Sequence, residues 1–192
     1  MGFWEGLLKF GSFLDSVSGN NDLQKYKDEL YNAFANNENK LFGNFSREGF
    51  DAIFEILIGN ASESVTIFCK NYNVIFNDSN ILLLNYIADQ FKRTKGEIVL
   101  YTFDGSISKE LKDLEGQYSS VKYIPCKIDL SGKRISNMII VDHKRYWQED
   151  LIYDRNTLDD PFKACVNFND LRKCLELIKF IHDFRMKYEI IN

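Results

Sequence analysis

The chain has 192 residues and a formal net charge of −4, with 45% hydrophobic, 15% aromatic and 27% charged residues. This balance excludes a disordered tail, and no apolar run approaches the roughly 18 residues that a bilayer-spanning helix needs. It also excludes a whole-molecule field that would draw the protein onto DNA or anionic lipid, so any polyanion site has to be a local patch.

The first eighteen residues are rich in aromatics. Phe3, Trp4, Leu7, Leu8, Phe10, Phe13, Leu14 and Val17 recur at three- and four-residue steps, which predicts one broad apolar helix face. Met1-Gly2-Phe3-Trp4-Glu5 is not a basic stretch followed by an apolar core, so the expected location is the cytoplasm. Ser18-Gly19-Asn20-Asn21 breaks the pattern. A second helix is expected from Asn21 or Asp22 through Leu23, Tyr26, Leu30, Ala33 and Phe34. A third begins near Ser46 and carries Phe50, Ile53, Phe54, Leu57 and Ile58 to Gly59.

From Ser64 the rhythm changes. Val65–Cys69, Ile98–Phe103 and Val121–Cys126 are continuous apolar runs, as in strands buried on both faces. Between them lie a helix over about 80–94, capped by Asp78 or Ser79, and a polar helix opened by Ser106 and ended by Gly116. Strands alternating with helices predict an α/β fold with a mixed, mostly parallel sheet flanked by helices. The rest reads as antiparallel: a turn over Asp129–Lys133, a buried strand Met138–Asp142, a tight turn His143–Arg145, then Tyr146-Trp147-Gln148. A loop around Asp159-Asp160-Pro161 precedes Ala164–Phe168, and Asp170 caps a last helix bearing Leu171, Cys174, Leu175, Ile178 and Ile181. The organisation expected is an N-terminal helical segment over residues 1–60, serving interaction or oligomerisation, and an α/β domain over 61–192.

Asn137-Met138-Ile139-Ile140-Val141-Asp142 has the spacing and apolar interior of a Lys-x-x-x-x-Asp strand motif, and Val166-Asn167-Phe168-Asn169 loosely matches a Gly-Ser-x-Asn segment. With the element order over about 60–188, these segments make the chain resemble one half of a phospholipase D-like protein. The resemblance implies His-x-Lys-x-x-x-x-Asp, with a nucleophilic His and a Lys that neutralises phosphoryl oxygens. Aligned on Asp142, those two positions hold Ile135 and Asn137. Isoleucine cannot become a phosphohistidine, and a neutral amide supplies little charge stabilisation. The expectation is therefore a degenerate site with no catalytic residue, in which Asn137, Asp142, Asn167 and Asn169 hold the cleft's hydrogen bonds.

A second register, His143-x-Arg145-x-x-x-x-Asp150, offers a nucleophile and a phosphate clamp for a metal-independent phosphodiesterase working as a homodimer. Its interior, Tyr146-Trp147-Gln148-Glu149, lacks the apolar character of a central strand, so a basic turn is the favoured reading. Lys133, Arg134, Lys144 and Arg145, with Trp147 and Tyr146 as stacking surfaces, form the one candidate phosphate or nucleic-acid patch, although a charged hairpin explains them more simply. His182 reads as a packing or capping residue of the last helix. Glu149-Asp150 and Asp159-Asp160 read as solvated loop acids.

Cys69, Cys126, Cys165 and Cys174 form no Cys-x-x-Cys pair, and with two histidines in the chain no metal site and no cofactor are expected. Reduced thiols used as small hydrophobes fit their apolar surroundings. The functional expectation is a non-catalytic binding or assembly module, an adaptor or subunit of a bacterial system that handles nucleic acid or senses phage. Its partner is another protein or a second copy, through Phe3, Trp4, Leu7, Phe10 and Phe13, with nucleic acid as the weaker candidate ligand.

Overall fold

The computed structural model describes residues 21–44, 46–70, 76–103, 108–126, 135–149 and 164–187. The N-terminal aromatic segment, Lys133, Arg134, Asp150 and the loop at 159–161 lie outside them, as does Ser106. The described elements run α1 (Asn21–Ala35), β1 (Phe42–Asn44), α2 (Arg47–Gly59), β2 (Ser64–Cys69), α3 (Asp78–Thr94) and β3 (Glu97–Thr102). They continue as α4 (Lys109–Gln117), β4 (Val121–Pro125), β5 (Met138–Val141), β6 (Arg145–Glu149), β7 (Ala164–Asn167) and α5 (Leu171–Lys187).

The seven described strands form one sheet in the order β1-β7-β6-β5-β2-β3-β4. The sheet is mixed and flanked by helices, an α/β arrangement. Its parallel part is β2-β3-β4, joined by the crossover helices α3 and α4. The other four ladders are antiparallel, so the antiparallel part is the larger, and the tight 142–144 turn sets β5 and β6 side by side within it.

Alternation along each strand divides the core between two faces. Val65, Ile67, Ile98, Leu100, Ile139 and Val141 pack under α1, α2, α3 and α4. Phe68, Tyr101, Met138, Ile140 and Tyr146 pack under α5, against Cys174, Leu177, Ile181 and Phe184. The core also runs across residue 60: β1 pairs with β7, and Leu30, Phe42 and Phe50 share a cluster with Val65 and Trp147. Residues 21–59 are thus built into the sheet's own core. The three-residue β1 had no apolar run to announce it.

Cap chemistry fixes the helix ends. Ser46 caps α2, its hydroxyl accepting from Gly49 N–H at 3.0 Å. Asn77, rather than Asp78 or Ser79, caps α3, because its side chain accepts from Asn80 N–H while Asn80 Oδ1 accepts from Asn77 N–H, closing a capping box. Ser108 caps α4, which continues past Gly116 to Gln117. No helix among the described residues is long and apolar enough to cross a membrane. The four cysteines are free, and three are fully buried. Burial pushes the Cys126 thiol up to about 11 and the Cys174 thiol up to about 12, which keeps both protonated and unreactive at neutral pH.

Trp147 joins β6 to α2. Its ring has no exposed surface and meets Phe50 of α2 edge-on at 4.9 Å between centroids. Trp147→Ala is expected to cost about 3–5 kcal/mol of unfolding free energy, because it empties a fully enclosed indole site. Urea denaturation followed by circular dichroism reads this directly, and a loss below about 1 kcal/mol would contradict the packing described.

Candidate functional site at the carboxyl end of the parallel strands

In open α/β sheets, ligands lodge beyond the carboxyl ends of the parallel strands, where connections diverge to opposite faces. Here β2 and β3 end at Cys69 and Thr102, and the antiparallel neighbour β5 begins at Met138. Asn137 stands just before β5, buried, with both halves of its amide engaged. Its oxygen accepts the Lys70 N–H at 2.7 Å, and its nitrogen donates to Glu149 Oε2 at 2.6 Å. The Glu149 N–H in turn donates to the Asn137 carbonyl at 2.9 Å. Glu149 is buried at the end of β6, so the reading of a solvated loop acid is corrected. Ile135, two residues upstream, is half-buried against the α5-side core.

The first turns of α2 and α3 converge on the same end. Arg47 pairs with Asp51 at 3.2 Å and donates to Asn80 Oδ1, also at 3.2 Å, while Asn77 Nδ2 reaches Asp51 at 3.4 Å. Burial raises the Asp51 pKa, with the Arg47 charge working against it. Among the described residues, no group of histidine, cysteine, aspartate and glutamate side chains could hold a metal ion. The exposed ion pairs elsewhere, such as Arg93–Asp89 and Lys122–Glu97, contribute little.

Asp142 lies at the opposite end of β5, about 16 Å from Asn137 at strand rise. With His143 it forms the centre of a tight turn in which both residues have positive φ, 51° and 56°, closed by Lys144 N–H to Val141 carbonyl at 3.2 Å. Turns of this kind favour Asn-Gly, and each side chain held there costs about 1 kcal/mol. The Asp142 carboxylate offsets that cost by accepting from the backbone N–H groups of Ser62, Glu63 and Ser64 at 2.8–3.2 Å and from the Ser62 hydroxyl at 2.9 Å. Burial alone would raise its pKa, but the N–H groups of Glu63, Ser64 and Ser62 outweigh burial and hold the carboxyl below its ordinary range.

Arg145 completes this knot. It is buried, pairs with Asp142 at 2.9 Å, donates to the Asn60 carbonyl at 3.3 Å and lies 4.7 Å over the Phe34 ring. Burial lowers its pKa and the Asp142 charge opposes that shift. Arg145 therefore belongs to the core rather than to a phosphate-facing surface, and Trp147, enclosed against Phe50, offers no face for stacking. Of the expected basic patch, the described part leaves only the half-buried Lys144. His143 is exposed, its Nε2 3.3 Å from Ser64 Oγ, and its neighbour Arg145 points into the knot, so the structure does not present the two as a nucleophile and clamp. His182 is exposed on α5.

Asn167 and Asn169 do not join Asn137 either. Asn167 pairs across the ladder with Tyr146, near the Asp142 end. It donates to Asn39 Oδ1 at 2.9 Å and accepts from Asn169 N–H at 2.9 Å, while Asn169 donates to the Asn37 carbonyl at 2.9 Å. Together they pin the α1–β1 connection to the end of β7. The residues that sequence reasoning missed at the candidate site are Glu149 and Lys70. Counting outward from the 142–144 turn, where Val141 faces Arg145 and Met138 faces Gln148, places residue 137 opposite residue 149.

The seven-stranded mixed sheet, its order and its helical layers settle the architecture. The fold is phospholipase D-like. It is similar to the phospholipase D family member Nuc from Salmonella typhimurium, with a TM-score of 0.57 and 11% identity over 78% of this chain and 95% of that one. It is similar also to NucT from Helicobacter pylori, at TM-score 0.53 and 13% identity over 75% and 94% of the two chains. The archaeal chromatin protein TrmBL2, described as showing a novel mode of DNA binding, aligns over 98% of this chain and 66% of its own, at TM-score 0.57 and 11% identity. The chain matches no family profile and no curated protein. At such identities the likeness speaks to fold alone.

Asp142 gives the described site its clearest pH signature. Its folded-state pKa is depressed, so its contribution to stability is complete above the ordinary carboxylate value near about 4 and is lost as pH falls through the lower folded-state value. Asp142→Asn should cost about 3 kcal/mol or more at pH 7, because it leaves Arg145 buried without its counter-charge. The gap between wild type and variant in urea denaturation should narrow between pH 5 and about pH 2. A gap that stays constant over that range would contradict the assignment.

Proposed function

We propose that this chain is a non-catalytic module of phospholipase D-like fold that works by binding and assembly rather than by phosphoryl transfer. One observation carries the reading. At the position where the family resemblance expects a phosphate-neutralising lysine, the buried Asn137 amide is held between the Lys70 N–H and the Glu149 carboxylate. A carboxylate beside that position opposes the approach of a phosphodiester, whose transition state concentrates further negative charge. Ile135, at the nucleophile's position, packs against apolar neighbours. The part of the motif that survives is Asp142, and its work is to hold the turn and Arg145.

A protein partner or a second copy suits the composition better than nucleic acid does. The net charge is −4, and two members of the expected basic patch, Arg145 and Trp147, are buried. DNA is the ligand to test alongside, since one solved structure of similar fold is described as binding it. A role as adaptor or subunit in a bacterial system handling nucleic acid or sensing phage extends this reading by analogy of fold.

The test is hydrolysis of an activated phosphodiester and of DNA by the full chain, with and without EDTA. The expected result is no turnover above the uncatalysed rate, and no difference between wild type and His143→Ala. Metal-independent cleavage abolished by His143→Ala would overturn the proposal.

A further inference from the structure

The two faces of the sheet are covered unequally. Among the described residues, four helices lie on one face and α5 lies alone on the other. Its inward side is Cys174, Leu177, Ile181 and Phe184. A second apolar stripe points away from the core: Leu171 is 57%, Leu175 54% and Met186 70% exposed, with Ile178 half-buried and His182 exposed between them. Positions 171, 175, 178 and 182 step by four, three and four, the spacing of a two-helix seam. The charges beside it are paired within the helix, Arg172 with Glu176 and Lys179 with Asp183, so apart from His182 the stripe is apolar.

A seam of the same form lies near the start of the sequence. Phe3, Leu7, Phe10, Leu14 and Val17 step by four, three, four and three over nearly the same length. Charge is complementary as well. Residues 3–17 carry Glu5 and Asp15 against Lys9, whereas α5 carries Arg172, Lys173, Lys179, Arg185 and Lys187 against Glu176 and Asp183.

We propose that the outward stripe of α5 is the docking site for residues 3–17 of a second copy of this chain. Reach decides between the same chain and a neighbour. Tyr26 donates to the Gly43 carbonyl, which sets the start of α1 beside the edge strand β1, on the face opposite α5. The far end of α5 lies over β2 and β3, where Phe184 meets Phe68 and Phe103. Strand β1 is four places from β2 in the sheet, about 19 Å, and each helix layer stands about 10 Å from the sheet. The gap from Asn21 to its own α5 is therefore more than about 25 Å. Ser18, Gly19 and Asn20 let Val17 stand at most about 14 Å from Asn21. Reversing the segment sends Val17 to the Leu171 end of α5, which Asn169 ties to Asn37 beyond the far end of α1, and the length of α1 alone, about 21 Å back to Asn21, exceeds that reach. Reciprocal exchange between two copies closes a two-fold dimer.

This deepens the assembly reading above and rests on it for purpose, while its geometry is independent of catalysis. The experiment mixes two full-length variants, Leu7→Cys and Leu175→Cys, and oxidises them. The expected result is a cross-linked species at twice the 22.5 kDa chain mass in the mixture and in neither variant alone. Self-linking of Leu175→Cys alone would mean that two α5 helices pair, and self-linking of Leu7→Cys alone would mean that two N-terminal segments pair. Either result overturns the proposal, as does a wild-type chain of single mass in light scattering. Phosphodiester cleavage by the dimer would sink the non-catalytic reading and leave this surface standing.

Discussion

One carboxylate holds the centre of this molecule together. Asp142 gathers three consecutive backbone N–H groups where the chain enters β2, anchors a turn in the left-handed region, and neutralises a buried arginine that spans from the end of α2 to the α1 ring of Phe34. Each of these is costly alone. A buried guanidinium needs a counter-charge, a turn with two side chains at positive φ needs external support, and the amides preceding a central strand need acceptors. Met by a single group, the three costs offset one another and tie α1, α2, β2 and the β5–β6 hairpin to one point.

That point also sets the register of the candidate site. With Val65 fixed opposite Val141, the β2–β5 ladder runs on to Phe68 opposite Met138, and just beyond it the Lys70 N–H donates to the Asn137 side chain at 2.7 Å. A slip of one residue would turn every apolar side chain of β5 to the other face, so the clamp at one end governs what can be presented at the other. Under the proposed function, the motif of the family resemblance separates into two jobs. Asp142 takes the architectural one. The positions that the resemblance gives to histidine and lysine hold a packed isoleucine and an amide locked to a carboxylate.

Much of this architecture was legible in the residues. The apolar runs of β2, β3 and β5 stand out because both of their faces are largely buried, and α2 and α5 show clear helical stripes and caps. The run of β4 departs from that expectation: β4 is an edge strand, and Lys122 and Pro125 are exposed. Strand β1 did not stand out, since three residues, one of them glycine, carry no periodicity and pair only through the backbone with β7. Trp147 and Arg145 looked like surface groups because the β6 run mixes polar and aromatic residues. Their burial follows from β6 lying between β5 and β7, which local pattern cannot reveal. Glu149 could have been found by counting along the hairpin. Asn167 and Asn169 match the motif's residue types but sit at the other end of the sheet, because residue identity does not report which end of a strand it occupies.

We propose that this chain binds without the covalent chemistry of phosphoryl transfer. The chain has two histidines, His143 and His182, so any phosphohistidine intermediate must form on one of them. Intact mass spectrometry of the protein after quenching a reaction with excess activated phosphodiester measures this most directly. The account predicts an unmodified mass. A phosphoryl adduct that maps to either imidazole would contradict it.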